Sequence, residues 1–333
     1  MNPIPVYDFN LNKSPSGRWD EIFNDNQDKI NLAKIEIKKI LANLGYNTIS
    51  KITKPIIYSF KFLNKLYYAD EIAYIAERME MSFDEVLVLQ LIYECSSACT
   101  SAILHVGSND LFFRTMDWPM EFLKSITIGL NIKKNNVSIA HGITWIGYVG
   151  LLTVTTAASD YSGSNMYGIS INYRATKDIT LGSIIKNAFR TFNMKWPIGY
   201  LVRDIIEKNM GKTRAIKTLS DAHLISPCYI TVFSEGSSQI ITRDADNIVS
   251  IRNTDLIQTN CDYDKTEPNI LWSCERRGLM KNIEAELNDL YIENNEMTLN
   301  DMIKKLLVFP IQNTETVYVY SYYKGKSEAY TIE

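Results

Sequence analysis

Cys99 is the residue of this sequence best suited to covalent catalysis. It opens a short β-prone run, and a turn at 107–110 leads to a second run that contains Arg114–Asp117. A cysteine is a strong nucleophile at neutral pH only as the thiolate, so it needs a base. The chain has only three histidines, and none has a recognisable pairing signature with Cys99. The sequence therefore offers little material for a histidine base or a histidine-rich metal site.

Cleavage of the chain before Cys99 would supply a base of another kind. A free α-amine has a pKa of about 7.7–8.0, and a modest environmental shift lets it accept the thiol proton. Breaking the bond between Ala98 and Cys99 would create that amine. The thiol could attack the preceding carbonyl to give a thioester, which water then opens. On the residues alone, a buried structural cysteine is the alternative interpretation.

Arg114 and Asp117 place opposite charges three residues apart near the end of a strand. The adjoining turn can bring both side chains to one site. A carboxylate beside an amine favours the charged amine, whereas a nearby guanidinium opposes it and favours the thiolate. The alternative is an ordinary ion pair on the surface.

The elements that must position these residues change character near residue 98. Upstream, apolar spacing predicts helices over 18–44, which Gly45 ends, and over 66–80. Ser82 and Glu85 form a capping box for a third helix that runs to about Glu94. Downstream, strands are predicted at 99–106, 111–116, 125–132, 137–148, 167–173, 227–233, 238–242, 316–323 and 327–332. Helices are predicted at 180–192, 198–209, 211–221, 277–291 and 298–307. Because this order is not a regular βαβ alternation, it favours a layered α+β sandwich.

Composition and charge remove several classes of protein. The 333 residues are 46% hydrophobic and 22% charged, which excludes a disordered chain, a collagen and a coiled coil. A net charge of −3 disfavours a general nucleic-acid binder. The five cysteines form no dense disulfide framework, and the Cys95-x₃-Cys99 spacing lacks partner ligands for zinc.

Eight segments carry a resemblance to a known family, in order along nearly the whole chain. They are Asp8–Phe23, Tyr93-Glu94 with Cys99–Ser101, Arg114–Asp117, Ile146–Leu151, Ile198–Arg203, Ile241–Asp244, Gln258–Asn260 and Arg276-Arg277. They resemble the acid ceramidase and N-acylethanolamine-hydrolysing acid amidase family of N-terminal-nucleophile hydrolases. That family is related to bile salt hydrolases and penicillin V acylase.

The resemblance implies a four-layer αββα sandwich with two parts. Residues 1–98 would be a helical propeptide, cut from the catalytic domain at the Ala98–Cys99 bond but still bound to it. Residues 99–333 would be the catalytic domain, and the two fragments would form a heterodimer. Cys99 would be the nucleophile both of self-cleavage and of substrate hydrolysis.

The remaining roles are also implied by the resemblance, position by position. Asp117 would hold the new α-amine of Cys99, and Arg114 would lie near the thiol and the scissile group. Asn260 would stabilise the oxyanion, although capping a turn is the commoner role of such a residue. Two further residues complete this set: Arg276, in the polar cluster, and Asn172, which matches an oxyanion-hole asparagine of the bile salt hydrolase branch.

Substrate contacts are expected at Tyr173, Trp118 and Trp145. Tyr173 stands where family members usually carry an acid near the leaving group, which leaves the head-group preference open. Cys261 replaces a common aromatic residue, and a small buried apolar role is expected for it rather than oxidation.

The implied activity is hydrolysis of an N-acyl amide with a long acyl chain, without metal or cofactor. Ceramide and N-acylethanolamines are the leading substrates. Two alternatives stay open: a non-lipid acylase of the bile-salt or penicillin type, and a catalytically silent lipid-binding relative. The first usually has a very short leader, whereas 98 residues precede Cys99 here.

Partners and compartment follow from the same sources. The segment 55–68 is dense in apolar and aromatic residues flanked by lysines, so it is expected to contact a membrane surface or to pack on the sandwich. No nucleic-acid partner is expected. Residues 1–20 have no apolar core, so no secretory signal is expected there. Animal members of the family are lysosomal, and the compartment of this chain stays open.

Overall fold

Two β-sheets form the centre of the computed structural model, which describes residues 1–92, 97–157, 166–174, 190, 195–267, 269–294 and 297–333. The strands are β1 (Asn2–Pro3), β2 (Val6–Asn10), β3 (Ala98–Val106), β4 (Asn109–Asp117), β5 (Thr127–Lys134), β6 (Val137–Trp145), β7 (Thr153–Thr156), β8 (Gly168–Tyr173), β9 (Cys228–Phe233), β10 (Gln239–Arg243), β11 (Ile248–Arg252), β12 (Ile257–Gln258), β13 (Thr316–Tyr323) and β14 (Lys326–Thr331). The helices are α1 (Asp20–Asp25), α2 (Gln27–Asn43), α3 (Tyr46–Phe62), α4 (Ala69–Arg78), α5 (Phe83–Ile92), α6 (Phe122–Ile126), α7 (Ile198–Glu207), α8 (Lys212–Asp221), α9 (Ser273–Asn294) and α10 (Leu299–Leu306).

The two sheets have six and eight strands. The first has the order β1-β14-β13-β4-β3-β12, and the second has the order β11-β10-β9-β8-β7-β6-β5-β2. The described pairs are antiparallel except β2 with β5, which is parallel. The rings of Phe112 and Phe233 stack between the sheets at 5.5 Å. The fold is therefore built on two facing sheets with a shared apolar core.

Helices cover the outer faces. Alternate residues of a strand face opposite sides of a sheet, so β3 divides its side chains between two environments. Cys99 and Ile103 face the second sheet, whereas Ala102 and Leu104 pack with residues of α9 and α10. Helices α7 and α8 belong to the core on the side of the second sheet. The layers follow the order α-β-β-α, which confirms the predicted α+β sandwich.

The region before Cys99 joins both sheets, a feature that the sequence patterns did not reveal. Strand β1 pairs with β14 at the edge of the first sheet, and β2 pairs with β5 at the edge of the second. A buried charge network adds a second connection. The Glu71 carboxylate, 2% exposed, accepts hydrogen bonds from Arg18 at 2.8 Å and from Arg203 at 2.6 Å. Removing one partner of such a pair leaves an uncompensated buried charge, which typically costs about 3–5 kcal/mol.

Most predicted elements are present, with one correction among the helices. The segment 18–44 is not a single helix: α1 and α2 are separated at Asn26, whose backbone has φ −125° and ψ 23°. Its side-chain amide donates to the Ile22 carbonyl and to the Tyr7 hydroxyl, and this pairing accompanies the break. The helix predicted over 180–192 lies outside the described residues apart from Arg190. In the part of the chain that the structure describes, no helix has the length and apolar character needed to cross a bilayer.

Candidate active site

The β3–β4 hairpin sets the position of Cys99. The turn at 107–110 pairs the strands so that Cys99 lies opposite Met116, Ser101 opposite Arg114 and Ala98 opposite Asp117. The Cys99 side chain is fully buried, and its sulfur contacts the Met116 sulfur at 3.7 Å. Cys99 therefore lies at the start of a central strand with its sulfur enclosed between the sheets.

Asn260 contacts Cys99 directly from the loop after β12. The backbone N–H of Cys99 donates to the Asn260 side-chain oxygen at 2.7 Å. The Asn260 amide nitrogen donates to the carbonyls of Ser97 at 3.2 Å and of Tyr173 at 2.9 Å. All three contacts are made by a side chain with no exposed surface. Asn260 thus joins the segment around the Ala98–Cys99 bond to the end of β8.

Arg276 reaches the same oxygen from the first turn of α9. One terminal nitrogen donates to Asn260 Oδ1 at 3.0 Å, and the other donates to the Thr100 hydroxyl at 2.8 Å. The carbonyls of Ile270 and Leu271 accept from the same guanidinium, at 3.1 and 2.8 Å. A fully buried guanidinium is thus fixed beside the backbone of Cys99.

Asp117 lies at the end of β4, on the face toward α9. Its two oxygens face the Thr316 hydroxyl at 2.7 Å and Arg276 at 3.4 Å. Burial raises the pKa of Asp117 to about 6, against the opposing charges of Arg276 and Arg114. Burial likewise lowers the pKa of Arg276. In this ion pair, burial therefore changes the pKa of the carboxyl group more than the two neighbouring cations do.

Arg114 faces the other way, into the space between the sheets. It donates to the Asn172 side-chain oxygen at 2.6 Å and to the Ser101 hydroxyl at 3.1 Å. Its second terminal nitrogen lies 3.9 Å from the sulfur of Met116, which itself contacts the sulfur of Cys99. Because residues three apart on a strand face opposite sides, Arg114 and Asp117 border the start of β3 from different faces.

Asn172 is bonded on all sides. Its amide nitrogen donates to the carbonyls of Gln258 at 2.9 Å and Cys99 at 3.2 Å. Its oxygen accepts from the Ser101 hydroxyl at 2.5 Å as well as from Arg114. In this arrangement Asn172 holds β3, β8 and β12 together. To bind an oxyanion, its N–H groups would first have to leave these backbone carbonyls. The expected role of Asn172 in an oxyanion hole stays a prediction.

The expected substrate residues divide between two places. Trp118 and Trp145 lie together, with ring centroids 5.6 Å apart, and both line an apolar groove. The groove opens to solvent, and the roughly 610 Å³ between its walls includes part of that open space. Its other walls come from α2, α5, α6 and the segment after β6, and include Ile37, Met79, Leu89, Met120, Leu123 and Ile126. Tyr173 is half-buried, and its carbonyl accepts from Asn260.

Sequence reasoning missed several polar residues that complete the site. Thr100, Ser101 and Thr316 bond to Arg276, Arg114 and Asp117 respectively. Their signal was present, because Thr100 and Ser101 are two hydroxyl residues in succession in the buried part of a mostly apolar strand. The expected junction motif Tyr93-Glu94 and Cys95 lie outside the described residues. Among the described residues, no group of three His, Cys, Asp or Glu side chains is placed to hold a metal ion.

Replacing Asp117 by Asn should change how stability depends on pH. The raised pKa means that the folded chain binds a proton between about pH 4 and 6 that the unfolded chain does not, so its unfolding free energy falls as pH rises through that window. Relative to Asp117→Asn, the loss should reach up to about 3 kcal/mol, at about 1.4 kcal/mol per pKa unit. Chemical denaturation of both chains in a Cys99→Ala background would measure it. A pH-independent difference would show that burial and the cations cancel, and one of opposite sign would show that the cations dominate.

Known proteins give the fold and the site a context. The chain is 42% identical over 333 residues to an uncharacterised protein of Acanthamoeba polyphaga mimivirus, covering 98% of each chain. It is 24% identical to the N-acylethanolamine-hydrolyzing acid amidase of Caenorhabditis elegans, covering 94% of this chain and 87% of that protein. Acid ceramidase of Bos taurus is also 24% identical, with 98% and 86% covered.

A solved structure is also similar to this chain. The Caenorhabditis elegans N-acylethanolamine-hydrolyzing acid amidase ortholog superimposes with a TM-score of 0.56 at 24% identity, covering 71% of this chain and 100% of that chain. No model of a known protein family matches the sequence. The fold is an α+β sandwich, like that of this solved structure. The chain belongs to the acid ceramidase and N-acylethanolamine-hydrolysing acid amidase family.

Proposed function

We propose that the protein hydrolyses the amide bond of N-acyl lipids, with Cys99 as a nucleophile that is exposed when the chain cuts itself after Ala98. The observation that carries the proposal is the contact between the Cys99 backbone nitrogen and Asn260, with Arg276 on the same oxygen. A strand is held by backbone hydrogen bonds to its neighbours, so it does not need buried side chains such as those of Asn260 and Arg276 at its first residues. An α-amine formed at this nitrogen would find an acceptor already in position.

The cleavage step uses the sulfur of Cys99 and the bond before it. The sulfur attacks the carbonyl carbon of Ala98, the C–N bond breaks, and the acyl group passes to sulfur while the nitrogen becomes the α-amine. Water then opens the thioester, which leaves a carboxylate on Ala98 and a free thiol on Cys99. In the uncut chain Cys99 has no exposed surface, so displacement of the end of segment 1–98 would also open the sulfur to substrate.

In the hydrolytic step the thiolate attacks the amide carbonyl of the substrate. Asn260 is our oxyanion donor, because one of its N–H groups contacts the Ser97 carbonyl, which belongs to the segment that cleavage disconnects. The α-ammonium of Cys99 protonates the departing amine, and the amine so regenerated activates the water that releases the fatty acid. Arg114 and Arg276 supply positive charge on either side of the developing anion.

The acyl chain would occupy the apolar groove. Trp118 follows Asp117 directly in sequence, so the groove starts beside the polar cluster. The lining of the groove is mostly apolar, which suits a hydrocarbon chain better than a polar acyl group. Helix α3 carries Phe62, 87% exposed, and Leu63 follows it. Lysines flank these two residues, so we propose that this helix contacts the lipid surface from which substrate enters.

The two fragments would remain together after cleavage. Strands β1 and β2 and the Glu71–Arg203 ion pair connect the segment 1–98 to the rest of the molecule. These connections are non-covalent and include a pair in which both side chains are almost fully buried. They support the expected heterodimer of residues 1–98 and 99–333.

The direct test is to follow cleavage and hydrolysis in the same sample. The purified chain is incubated at roughly pH 4.5 and pH 7.5, and its intact mass and the release of fatty acid are recorded, because the protonation states of the reacting groups, and hence the rate, depend on pH. Substrates are a ceramide, a long-chain N-acylethanolamine, a short-chain acyl amide and penicillin V. Fragments 1–98 and 99–333 with preference for long acyl chains support the proposal. An uncut chain that binds lipid without turnover would support the silent relative.

Filling the groove should separate long from short acyl chains. Leu123 is buried in the groove wall, and Leu123→Trp adds a ring where the chain would lie. Each buried CH₂ of the acyl chain contributes about 0.8 kcal/mol, so a ring that displaces two of them costs about 1.6 kcal/mol of binding. We therefore expect KM for a long-chain amide to rise roughly ten-fold or more, with little change for a short one. Leu32→Trp, on the exposed face of α2, is the matched control. Equal effects on both substrates would place the acyl chain elsewhere.

A further inference from the structure

Two cysteines lie in contact beside the proposed catalytic cluster. The sulfurs of Cys261 and Cys274 are 3.8 Å apart, and both residues are free thiols in this structure. Cys261 has no exposed surface, whereas Cys274 is partly exposed. A disulfide needs the sulfurs at about 2.05 Å, so the pair has to close by less than 2 Å, a distance that side-chain rotation and small loop shifts provide.

Both cysteines are close in sequence to residues of the proposed catalytic cluster. Cys261 directly follows Asn260, which holds the backbone nitrogen of Cys99. Cys274 lies in the first turn of α9, two residues before Arg276, which holds Asn260 and Thr100. The two cysteines therefore bracket the loop whose ends carry Asn260 and Arg276. A bond between them would act directly on the backbone that carries those two side chains.

The surroundings of the two sulfurs differ in a way that suits an exchange reaction. A guanidinium nitrogen of Arg277 donates to the Cys261 sulfur at 2.6 Å and supplies positive charge as that sulfur attacks. The Cys274 sulfur contacts the Thr266 carbonyl at 3.3 Å and reaches solvent. Burial and the neighbouring Cys261 sulfur raise the pKa of the Cys274 thiol, so its thiolate is a minor form at neutral pH and alkaline pH favours the exchange.

We propose that Cys261 and Cys274 are a redox-sensitive thiol pair, and that their disulfide lowers activity by displacing Asn260 from Cys99. The oxidant is a low-molecular-weight disulfide. The Cys274 thiolate attacks it, forming a mixed disulfide and releasing one thiolate. The Cys261 thiolate then attacks the Cys274 sulfur and releases the second. Two protein thiols are oxidised, one small disulfide is reduced to two thiols, and the two protons pass to water or to the released thiolates.

The chemical half of the proposal can be tested without catalysis. A Cys99→Ala chain is treated with glutathione disulfide near pH 8, where thiolate is more abundant, and its peptides are mapped without reduction. We expect a Cys261–Cys274 linkage that dithiothreitol removes and that is lost in Cys274→Ser. A mixed disulfide that stays on Cys274, or unmodified cysteines at both positions, would overturn the pair. This test is independent of the proposed function.

The regulatory half rests on the proposed function and uses the cleaved enzyme. A displacement of about 1 Å in a catalytic group can reduce rate by roughly 10²-fold, so we expect a loss of that order on oxidation and recovery with dithiothreitol. Cys274→Ser should keep the initial activity and resist the loss, whereas Cys228→Ser, a buried cysteine of β9, should behave as the parent. Equal inactivation of Cys274→Ser would place the sensitivity at Cys99 and reject the switch.

Discussion

A Cys99→Ala chain should remain a single polypeptide and should hydrolyse no N-acyl amide. Its sulfur would be the atom that attacks in both reactions, and the methyl group of alanine offers no nucleophile in its place. Intact mass would show the uncut chain under conditions in which the parent yields fragments 1–98 and 99–333. Fatty-acid release from a long-chain amide should fall to the level without protein.

Two controls separate chemistry from folding in this experiment. Cys228→Ala removes another buried cysteine, from β9, and should leave cleavage intact. Cys99→Ser keeps a hydroxyl nucleophile in the same volume and should cut slowly rather than not at all. Full cleavage of the Cys99→Ala chain would reject Cys99 as the self-cleaving residue. Full hydrolysis by that chain would reject it as the catalytic residue.

The hairpin that carries Cys99 could be predicted because its signals are local. Two apolar runs flank the turn at 107–110, and Lys324-Gly325 marks the turn between β13 and β14. Buried strands such as β8 and β9 also show as short runs rich in isoleucine, valine and aromatic residues. Such patterns indicate burial, and a central strand is buried along most of its length.

Strand β2 could not be predicted from such patterns. It lies at the edge of the second sheet and pairs with β5, more than a hundred residues away in sequence. Only Phe9 of its five residues is buried, so its composition resembles that of a loop. Edge strands of this kind depend on a partner rather than on their own sequence. The break at Asn26 is similar, since its amide bonds to the Tyr7 hydroxyl from that distant strand.

In the site, too, some features could be predicted from the sequence and others could not. Cys99, Arg114, Asp117, Asn260 and Arg276 do lie around the start of β3. What the sequence could not supply is which atoms face each other. Asn260 rather than Asp117 accepts from the Cys99 nitrogen, and Asp117 contacts Arg276 on the opposite face of the strand. Motif spacing constrains which residues meet, but hydrogen-bond partners depend on side-chain direction.

Asn260 should be the residue whose loss harms hydrolysis most after Cys99. Its oxygen accepts from the Cys99 nitrogen, and its amide is our oxyanion donor. Losing one such donor typically lowers kcat by about 10²–10³-fold. Asn260→Ala should therefore reduce kcat by that order with little change in KM, because the acyl chain binds in a separate groove.

Asn260→Asp distinguishes the two functions of this side chain. It keeps an oxygen for the Cys99 nitrogen and for Arg276 but has no N–H to donate, so kcat should fall about as far as in Asn260→Ala. Rates are normalised to the cleaved fraction, since cleavage itself depends on the same contacts. Asn269→Ala is the matched control, because it removes an exposed amide from the same loop, where its oxygen accepts from the Cys274 N–H at 2.9 Å. If Asn260→Asp hydrolyses at the parent rate while Asn260→Ala does not, Asn260 acts by positioning the α-amine and the oxyanion is bound by another group.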